Sequence, residues 1–436
     1  MKQSEEPHAL EDEADELRVV IVSEHASARF GGEAALPLHY FRVLRRRAVP
    51  VWLVTHARTR SELTLLYPGD ERILYVEDTV WHRAMWQIGR RLPAQISYFT
   101  TGFLSRLSTQ VVQRRLVRKL IREQGITVVH QPMPVSPREP SLLFGFGVPV
   151  IIGPMNGGMD YPPQFRRHRS TVERVMLDVG RTSAMFLNWL MPGKRDATTL
   201  LVANRRTLEA LPAGVCENVI EVVENGVDLD LWQAPSEPPS SSTSSAVTFA
   251  FMGRLVDWKA VDLLLEAFAK AAPTIPMRLA ILGDGAERTR LEALADKLGV
   301  ADVVEFAGWL PQAACAQRLR EADCLVLPSL LECGGAVVLE AMSLGKPVIA
   351  TAWGGPLDYL DASCGILITP TDRQALIDGL SAAMERLASS AQERSALGTG
   401  GREKVTREFD WDVKVDQVLV LYRSAQRLYN AAGDRS

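Results

Sequence analysis

Glycine and charge fall together at three places in the second half of this 436-residue chain. Gly253-Arg254 is followed by Lys259, five residues after the arginine. Two fixed cations where a strand gives way to a helix suit a diphosphate: the guanidinium grips bidentately and the ammonium acts as a compact charge. Gly283-Asp284-Gly285 is the second place. Glycines there let the backbone approach a flat ligand, although alone the run is also an ordinary strand-to-helix turn. The third is Glu332-Cys333-Gly334-Gly335, continuing through Ala336-Val337-Val338-Leu339 to Glu340. Gly334 and Gly335 open a helix whose free amides offer an anion site. Glu340 falls about one and a half turns along that helix. Its carboxylate can accept hydrogen bonds from a ribose diol, as acidic residues do in dinucleotide folds. Glu332 stands just before the helix. Two glutamates beside an anion site are also what a solvated acidic turn contains; the glycines and the apolar helix face between them favour the site.

These groups act together only if the fold brings them to one rim, and the apolar pattern supplies such a fold. In the first half, buried-strand patterns at residues 17–23, 51–55, 126–130, 148–153 and 200–203 alternate with helical stretches, one of them over residues 34–47. The second half repeats this: strands at 247–252, 277–282, 303–306, 324–328, 347–351 and 365–369, with amphipathic helices between them. Such alternation predicts an α/β class of two doubly wound domains in tandem. Residues 219–223 read as the first strand of the second unit, which sets the boundary near Ala213. The Ser/Pro-rich run at 235–246 cannot bury a core. Ligands of doubly wound sheets sit beyond the carboxyl ends of the strands, so the site belongs in the cleft between the two sheets.

Composition excludes several classes. Hydrophobic residues make up 47% and charged residues 23%, the mix of a globular enzyme-sized chain. No apolar run is long enough to span a bilayer. The acidic start, Glu5 to Glu16, is not that of a secretory signal, and a cytoplasmic location is expected. The five cysteines show no spacing pattern and argue against a disulfide framework. All seven histidines precede all five cysteines, so no local Cys/His zinc cluster can be written. The net charge of −3 hides an asymmetry: residues 17–212 hold 28 Lys and Arg against 14 Asp and Glu, and the balance reverses beyond them. A basic half suits a phosphorylated substrate or an anionic membrane surface. Without a zinc-finger or RNP-type signature, nucleic acid is not an expected partner.

Taken together, Gly253-Arg254 with Lys259, Gly283-Asp284-Gly285, and the pair Glu332 and Glu340 resemble the retaining GT-B glycosyltransferases of family 4, group 1. Glu224-Asn225-Gly226-Val227-Asp228 matches a run of that family after the interdomain crossing. In the first half, Gly31-Gly32 after the first strand and His130 after a central strand match it more thinly. The resemblance implies a GT-B fold: a domain over 1–212, a nucleotide-sugar-binding domain over 213–407, and a last helix within 408–436 packing back on the first.

It also implies roles. Arg254, Lys259 and the amides of Gly334 and Gly335 would hold the donor diphosphate, with Gly31 and Gly32 approaching from the other domain. Glu340 would bind the ribose; Glu332 and His130 would contact the transferred sugar. The base would lie near Gly283, Asp284 and Gly285 and the turn Gly308-Trp309-Leu310. No resident cofactor is implied beyond the nucleotide sugar itself. Asp228-Leu229-Asp230 and Asp410-Trp411-Asp412 read as turn or cap residues, and Arg254 and Lys259 take the place of a divalent ion, so metal independence is expected. The acceptor expected is a lipid-linked or cell-surface glycan, reached from an anionic membrane surface through the basic first domain and the stretch from Val172 to Met191. Rival readings are a transferase with a small soluble acceptor, an epimerase or sugar-phosphate synthase, and a non-catalytic binding subunit.

Overall fold

The computed structural model describes residues 16–30, 32–133, 136–166, 183, 185–233 and 246–433. Two parallel sheets organise it. The first has seven strands: β1 Val19–Val22, β2 Val51–His56, β3 Ile73–Val76, β4 Val128–Gln131, β5 Val150–Met155, β6 Thr199–Val202 and β7 Val219–Glu221. Their order is β3-β2-β1-β4-β5-β6-β7. The second has six: β8 Val247–Met252, β9 Met277–Leu282, β10 Val304–Gly308, β11 Cys324–Leu327, β12 Val348–Thr351 and β13 Gly365–Ile368, in the order β10-β9-β8-β11-β12-β13. In both sheets the order reverses beside the first strand, between β1 and β4 and between β8 and β11. The loops leaving those two strands diverge and leave a crevice at the carboxyl rim.

The central strands are mostly apolar because helices cover both faces. Every residue of β1, β2, β4, β5, β6, β11 and β12 is buried. One face of the first sheet packs against the helix Gly32–Arg46 and the C-terminal helix Trp411–Gly433, with Tyr40, Phe41, Trp411, Val415, Val418 and Tyr422 in the core. Val117 and Leu120 of the long helix Phe103–Gln124 pack on the opposite face. In the second domain, the helix Val261–Ala271 places Val261, Leu264, Leu265 and Phe268 on one buried stripe, the i, i+3, i+4, i+7 spacing of an amphipathic helix. Burying each such side chain contributes about 1.5–3 kcal/mol.

One strand lies elsewhere than expected. Val219–Glu221 is the outer strand of the first sheet, pairing with β6, rather than the first strand of the second unit. The first sheet therefore extends past Pro212, and the chain crosses between domains only after β7. The Ser/Pro-rich run lies almost wholly outside the described residues. β3 was not anticipated from the sequence.

The chain crosses between the domains twice, and the two crossings bond to each other. Val227 N–H donates to Phe409 O at 2.8 Å, and Trp411 N–H donates to Val227 O at 3.4 Å. A Cβ on Gly226 would lie 2.9 Å from Phe409 O, so glycine permits that approach. Basic residues of the first domain hold the crossings from one side. Arg42 pairs with Asp228, Arg46 with Asp412, and Arg47 with Asp412 and Asp416. Asp228 and Asp410 also accept from the backbone amides two residues on, at 3.2 and 3.3 Å. The first Asp-x-Asp run thus lies in a turn and the second at the start of the C-terminal helix, both at the crossings.

Candidate active site

The crevice between β8 and β11 gathers most of the charged candidates. The loop after β8 carries Gly253 and Arg254 and then a short turn, Asp257–Lys259. The loop after β11 carries Glu332 to Gly335 and enters the helix Ala336–Ser343. A backbone bond from Leu330 N–H to Trp258 O, 2.9 Å, ties the two loops together. Lys259 Nζ forms an ion pair with Glu332 Oε2, with side chains only 16% and 12% exposed. Arg254 is exposed and forms no ion pair with another described residue. Gly335 is in the left-handed region at φ 84° and begins the helix with no side-chain cap, Val338 N–H donating to its carbonyl at 2.9 Å. Ala260, at the start of the helix Val261–Ala271, also has positive φ, 52°.

The glycines serve the backbone more than a flat ligand. A Cβ on Gly283 would lie 1.9 Å from Gly253 O, and one on Gly285 would lie 2.2 Å from Leu255 O. These residues let the loops after β8 and β9 lie in contact, which fixes the position of Arg254. Gly283 N–H also donates to Gly308 O at 2.9 Å, joining the turn that carries Trp309 and Leu310. Trp309 is 74% exposed on that rim. Asp284 caps its own turn, accepting from Gly285 N–H at 2.7 Å. A Cβ on Gly334 would lie 2.3 Å from Asn225 Nδ2 and 2.5 Å from Glu224 Oε1, so this loop nests on the interdomain crossing.

Glu340 lies on the inner side of its helix, half-buried, and its carboxyl has no hydrogen-bond partner among the described residues. Burial pushes its pKa up to about 8. It neighbours Cys315, whose thiol is raised first by burial and further by the Glu340 charge. Cys315 in turn contacts Leu310 O at 3.6 Å. Glu340 and the Trp309-Leu310 turn thus border one region.

On the first-domain side the outcome differs. Gly31 lies outside the described residues; Gly32 starts the helix Gly32–Arg46, with open space where a Cβ would stand. His130 is not in the cleft. It is fully buried, Nε2–H donating to Gly153 O and Nδ1 accepting from Tyr422 O–H, both at 2.7 Å. Burial pulls its pKa down to about 4, so the ring is neutral and structural. The reason is strand alternation: His130 points to the face covered by the C-terminal helix.

The first sheet's rim carries other titratable groups that the sequence reading did not select. Glu24 and His25 follow β1; His56 ends β2, with Arg58 just beyond it. Glu24 is raised by burial, with Arg106 and Arg58 opposing. His25 is lowered by burial and then by Arg58. Their position directly after predicted strands was the available signal. Across the cleft, Asn156 Nδ2 donates to Glu224 Oε1 at 2.6 Å and to Cys333 O at 3.0 Å. Asn204 Nδ2 donates to Asp358 Oδ2 at 2.8 Å, and Arg206 pairs with the same oxygen at 3.6 Å. Glu224 is buried, and burial raises its pKa, with Asn156 opposing. The first domain therefore grips the loop of Glu332 to Gly335 and its neighbour directly.

Comparison with known proteins bears on this arrangement. Residues 237–404 match the family described as glycosyl transferases group 1. A D-inositol 3-phosphate glycosyltransferase of Segniliparus rotundus is 35% identical over 221 residues, which are 48% of this chain and 47% of that protein. The chain thus spans about half the length of the curated relatives it matches. Among solved structures, a glycosyltransferase from Rickettsia africae superposes with a TM-score of 0.65 at 13% identity, covering 94% of this chain and 98% of that one. Anabaena Alr3699/HepE in complex with UDP superposes with a TM-score of 0.61 at 16% identity, covering 94% and 100%. The fold is GT-B: two Rossmann-like domains facing across a cleft.

Proposed function

We propose that this chain, whose residues 237–404 match the group 1 glycosyl transferases, transfers a sugar, with retention of configuration, from a nucleotide-activated donor to a lipid-linked or cell-surface glycan. The observation that carries this reading is the Lys259–Glu332 pair at the β8–β11 switch point, beside Arg254 and the amides of Gly334 and Gly335. A pyrophosphate entering the crevice takes Lys259 from Glu332 and adds Arg254. Glu332 is then free to accept hydrogen bonds from sugar hydroxyls. Glu340, whose carboxyl has no hydrogen-bond partner among the described residues, meets the ribose, and the base lies toward Gly283 and Trp309.

The chemistry follows from the charge. The anomeric carbon–oxygen bond to the diphosphate breaks, and a bond to the acceptor oxygen forms on the same face. The acceptor proton passes to the departing phosphate oxygen. Arg254 and Lys259 stabilise the charge that builds there, in a crevice that closure shields from water. These two cations do the work a divalent ion would otherwise do, and the reading needs no metal. In this reading the enzyme works in the cytoplasm, peripheral on the inner face of the membrane. Among the described residues no helix is long and apolar enough to cross a membrane.

A second reading, transfer to a small soluble phosphorylated polyol, is favoured by the curated relatives, which are named D-inositol 3-phosphate glycosyltransferases. One experiment tests the common core: a thermal-shift panel of nucleoside diphosphates and their sugars. A rise in melting temperature with one base, lost in Lys259→Ala, is expected; no rise with any member overturns the donor assignment. Product analysis with labelled donor separates the acceptors.

A further inference from the structure

The helix Val80–Gly89 is turned inside out. Its buried residues are His82 and Gly89. His82 Nε2 bonds Thr109 Oγ1 at 3.0 Å, and its Nδ1 lies 2.8 Å from Thr79 Oγ1. A Cβ on Gly89 would lie 2.7 Å from both Ser97 Oγ and Thr101 Oγ1, so polar groups crowd that inner side. The outer side holds Val80, Trp81, Trp86 and Ile88, exposed by 74, 68, 60 and 48%. Ile96 and Leu104, exposed by 45 and 50%, continue the apolar surface. A water-facing helix has the opposite distribution, and an exposed apolar patch of this kind marks a contact surface.

The same inversion recurs nearby. Residues 185–190 are helical. There Asn188 is buried and donates to Arg138 O at 2.9 Å, while Met185, Phe186, Trp189 and Leu190 are all more than half exposed. Glu139, next to Arg138, holds Arg106 of the long helix at 2.6 Å, so both apolar surfaces flank one loop. The rest of the stretch from Val172 lies mostly outside the described residues.

Charge names the partner. From Thr79 to Arg122 the sequence has nine Lys and Arg and no Asp or Glu. Arg83, Arg90 and Arg91 lie on or directly after the inverted helix, exposed and without an ion pair to another described residue. The Arg90 guanidinium lies 4.7 Å from the Trp86 ring centroid. Indoles at the rim of an apolar patch, with cations beside them, are what a headgroup layer requires: the rings sit at the boundary and the guanidinia reach anionic phosphates. A protein partner or a second copy of this chain would need a matching acidic apolar surface.

We propose that the face built from Val80–Gly89, Ile96, Leu104 and residues 185–190 docks on an anionic phospholipid bilayer. This deepens the reading of a membrane-linked acceptor and rests on it for its purpose only. The geometry serves that purpose. Thr79 caps the helix directly after β3, and the His82 ring lies 5.5 Å from that of His56 at the end of β2. The docking face thus adjoins the carboxyl rim of the first sheet, where the acceptor has to enter, and a lipid-borne headgroup would reach the cleft without leaving the bilayer.

The test is co-sedimentation of the full chain with phosphatidylglycerol-containing and pure phosphatidylcholine vesicles, at low and high salt. Binding to the anionic vesicles is expected, weakening with salt. Trp81→Ser/Trp86→Ser should lower the partition coefficient more than tenfold. Each of Arg90→Glu and Arg91→Glu should lower it about fivefold or more. Circular dichroism and slow donor hydrolysis should be unchanged in these surface variants. Failure to bind anionic vesicles at low salt, equal binding to neutral ones, or indifference to the variants overturns the proposal. So does a concentration-dependent dimer in light scattering that Trp81→Ser/Trp86→Ser abolishes, which would assign the face to a second copy. Nucleotide binding without vesicle binding sinks this proposal alone; vesicle binding without nucleotide binding sinks the transferase reading alone.

Discussion

Lys259 and Glu332 neutralise each other across the crevice where the two loops of the second sheet part. The cation best placed for a phosphate is therefore already engaged, and a donor has to compete with a carboxylate for it. Removing that competition separates binding from turnover. Glu332→Gln should bind the free nucleoside diphosphate several-fold more tightly than wild type, yet lose at least a hundredfold in transfer, because the sugar loses a charged hydrogen-bond partner. Lys259→Ala should weaken the nucleoside diphosphate by more than tenfold, since a charged hydrogen bond contributes about 1.5–3 kcal/mol. Isothermal titration alongside single-turnover kinetics reads both; tighter binding in Lys259→Ala, or equal turnover in Glu332→Gln, contradicts the assignment.

Glu340 makes a pH prediction of definite sign. Its carboxyl ionises near 4.5 in the unfolded chain and near 8 in the native one. Between those values the unfolded state has released a proton that the native state still holds. Stability from this group therefore falls as pH rises from 4.5 to 8. Glu340→Gln removes that penalty. Its unfolding free energy, read by denaturant titration, should approach wild type at pH 5 and exceed it at pH 8.5, by about 1–2 kcal/mol once solvent access to the half-buried group is allowed for. A constant offset across that range would contradict the buried, unpartnered carboxyl.

His130 should behave as a packing residue. Replacing it with Phe leaves Tyr422 O–H and Gly153 O unpaired and should cost about 2–4 kcal/mol, read by urea unfolding. Slow donor hydrolysis by the remaining folded enzyme should stay within about threefold of wild type. The ring is neutral in the native state to about pH 4 but takes a proton near 6.5 when unfolded. Wild type thus loses stability as pH falls through that window, and His130→Phe should flatten the loss. A turnover loss of a hundredfold at unchanged stability would restore the catalytic role.

Two backbone substitutions test the loops. Gly283→Ala places a methyl group 1.9 Å from Gly253 O at a φ of 147°, and should destabilise the second domain by about 3 kcal/mol or more. Denaturant unfolding and nucleoside diphosphate affinity should fail together, because the same displacement moves Arg254.

Ala260→Gly should act in the other direction. Ala260 holds a left-handed conformation that costs a residue with a Cβ about 1–2 kcal/mol, and glycine returns part of that through greater unfolded-chain freedom. A net gain of about 0.5–1 kcal/mol in melting experiments is expected; a loss would mean that the Ala260 methyl packs better than its backbone is strained.

The second domain was legible because its strands are buried on both faces and its charged residues stand directly after them. Arg254, Lys259, Glu332 and Glu340 needed only strand ends to be placed. Val219–Glu221 was misplaced because a short outer strand, largely solvent-accessible, carries no mark of the sheet it joins. His130 misled for a different reason. Its strand position was right, but which face it points to depends on a helix nearly three hundred residues away, through the bond to Tyr422. The inverted helix Val80–Gly89 was unreadable as such, since an apolar stripe in a sequence is ordinarily a core stripe, and only exposure reveals that the stripe faces outward.

The mutual bond between the two crossings, Val227 with Phe409 and Trp411, limits how the lobes can part. Two separate tethers would let them swing, slide or twist; a pair stitched at one point behaves as a pin. Movement of one lobe against the other therefore has to bend both crossings together. Loosening that pin, with Gly226→Val for instance, should ease separation of the two lobes while leaving Arg254, Lys259 and Glu332 in place, read as larger dimensions in small-angle scattering.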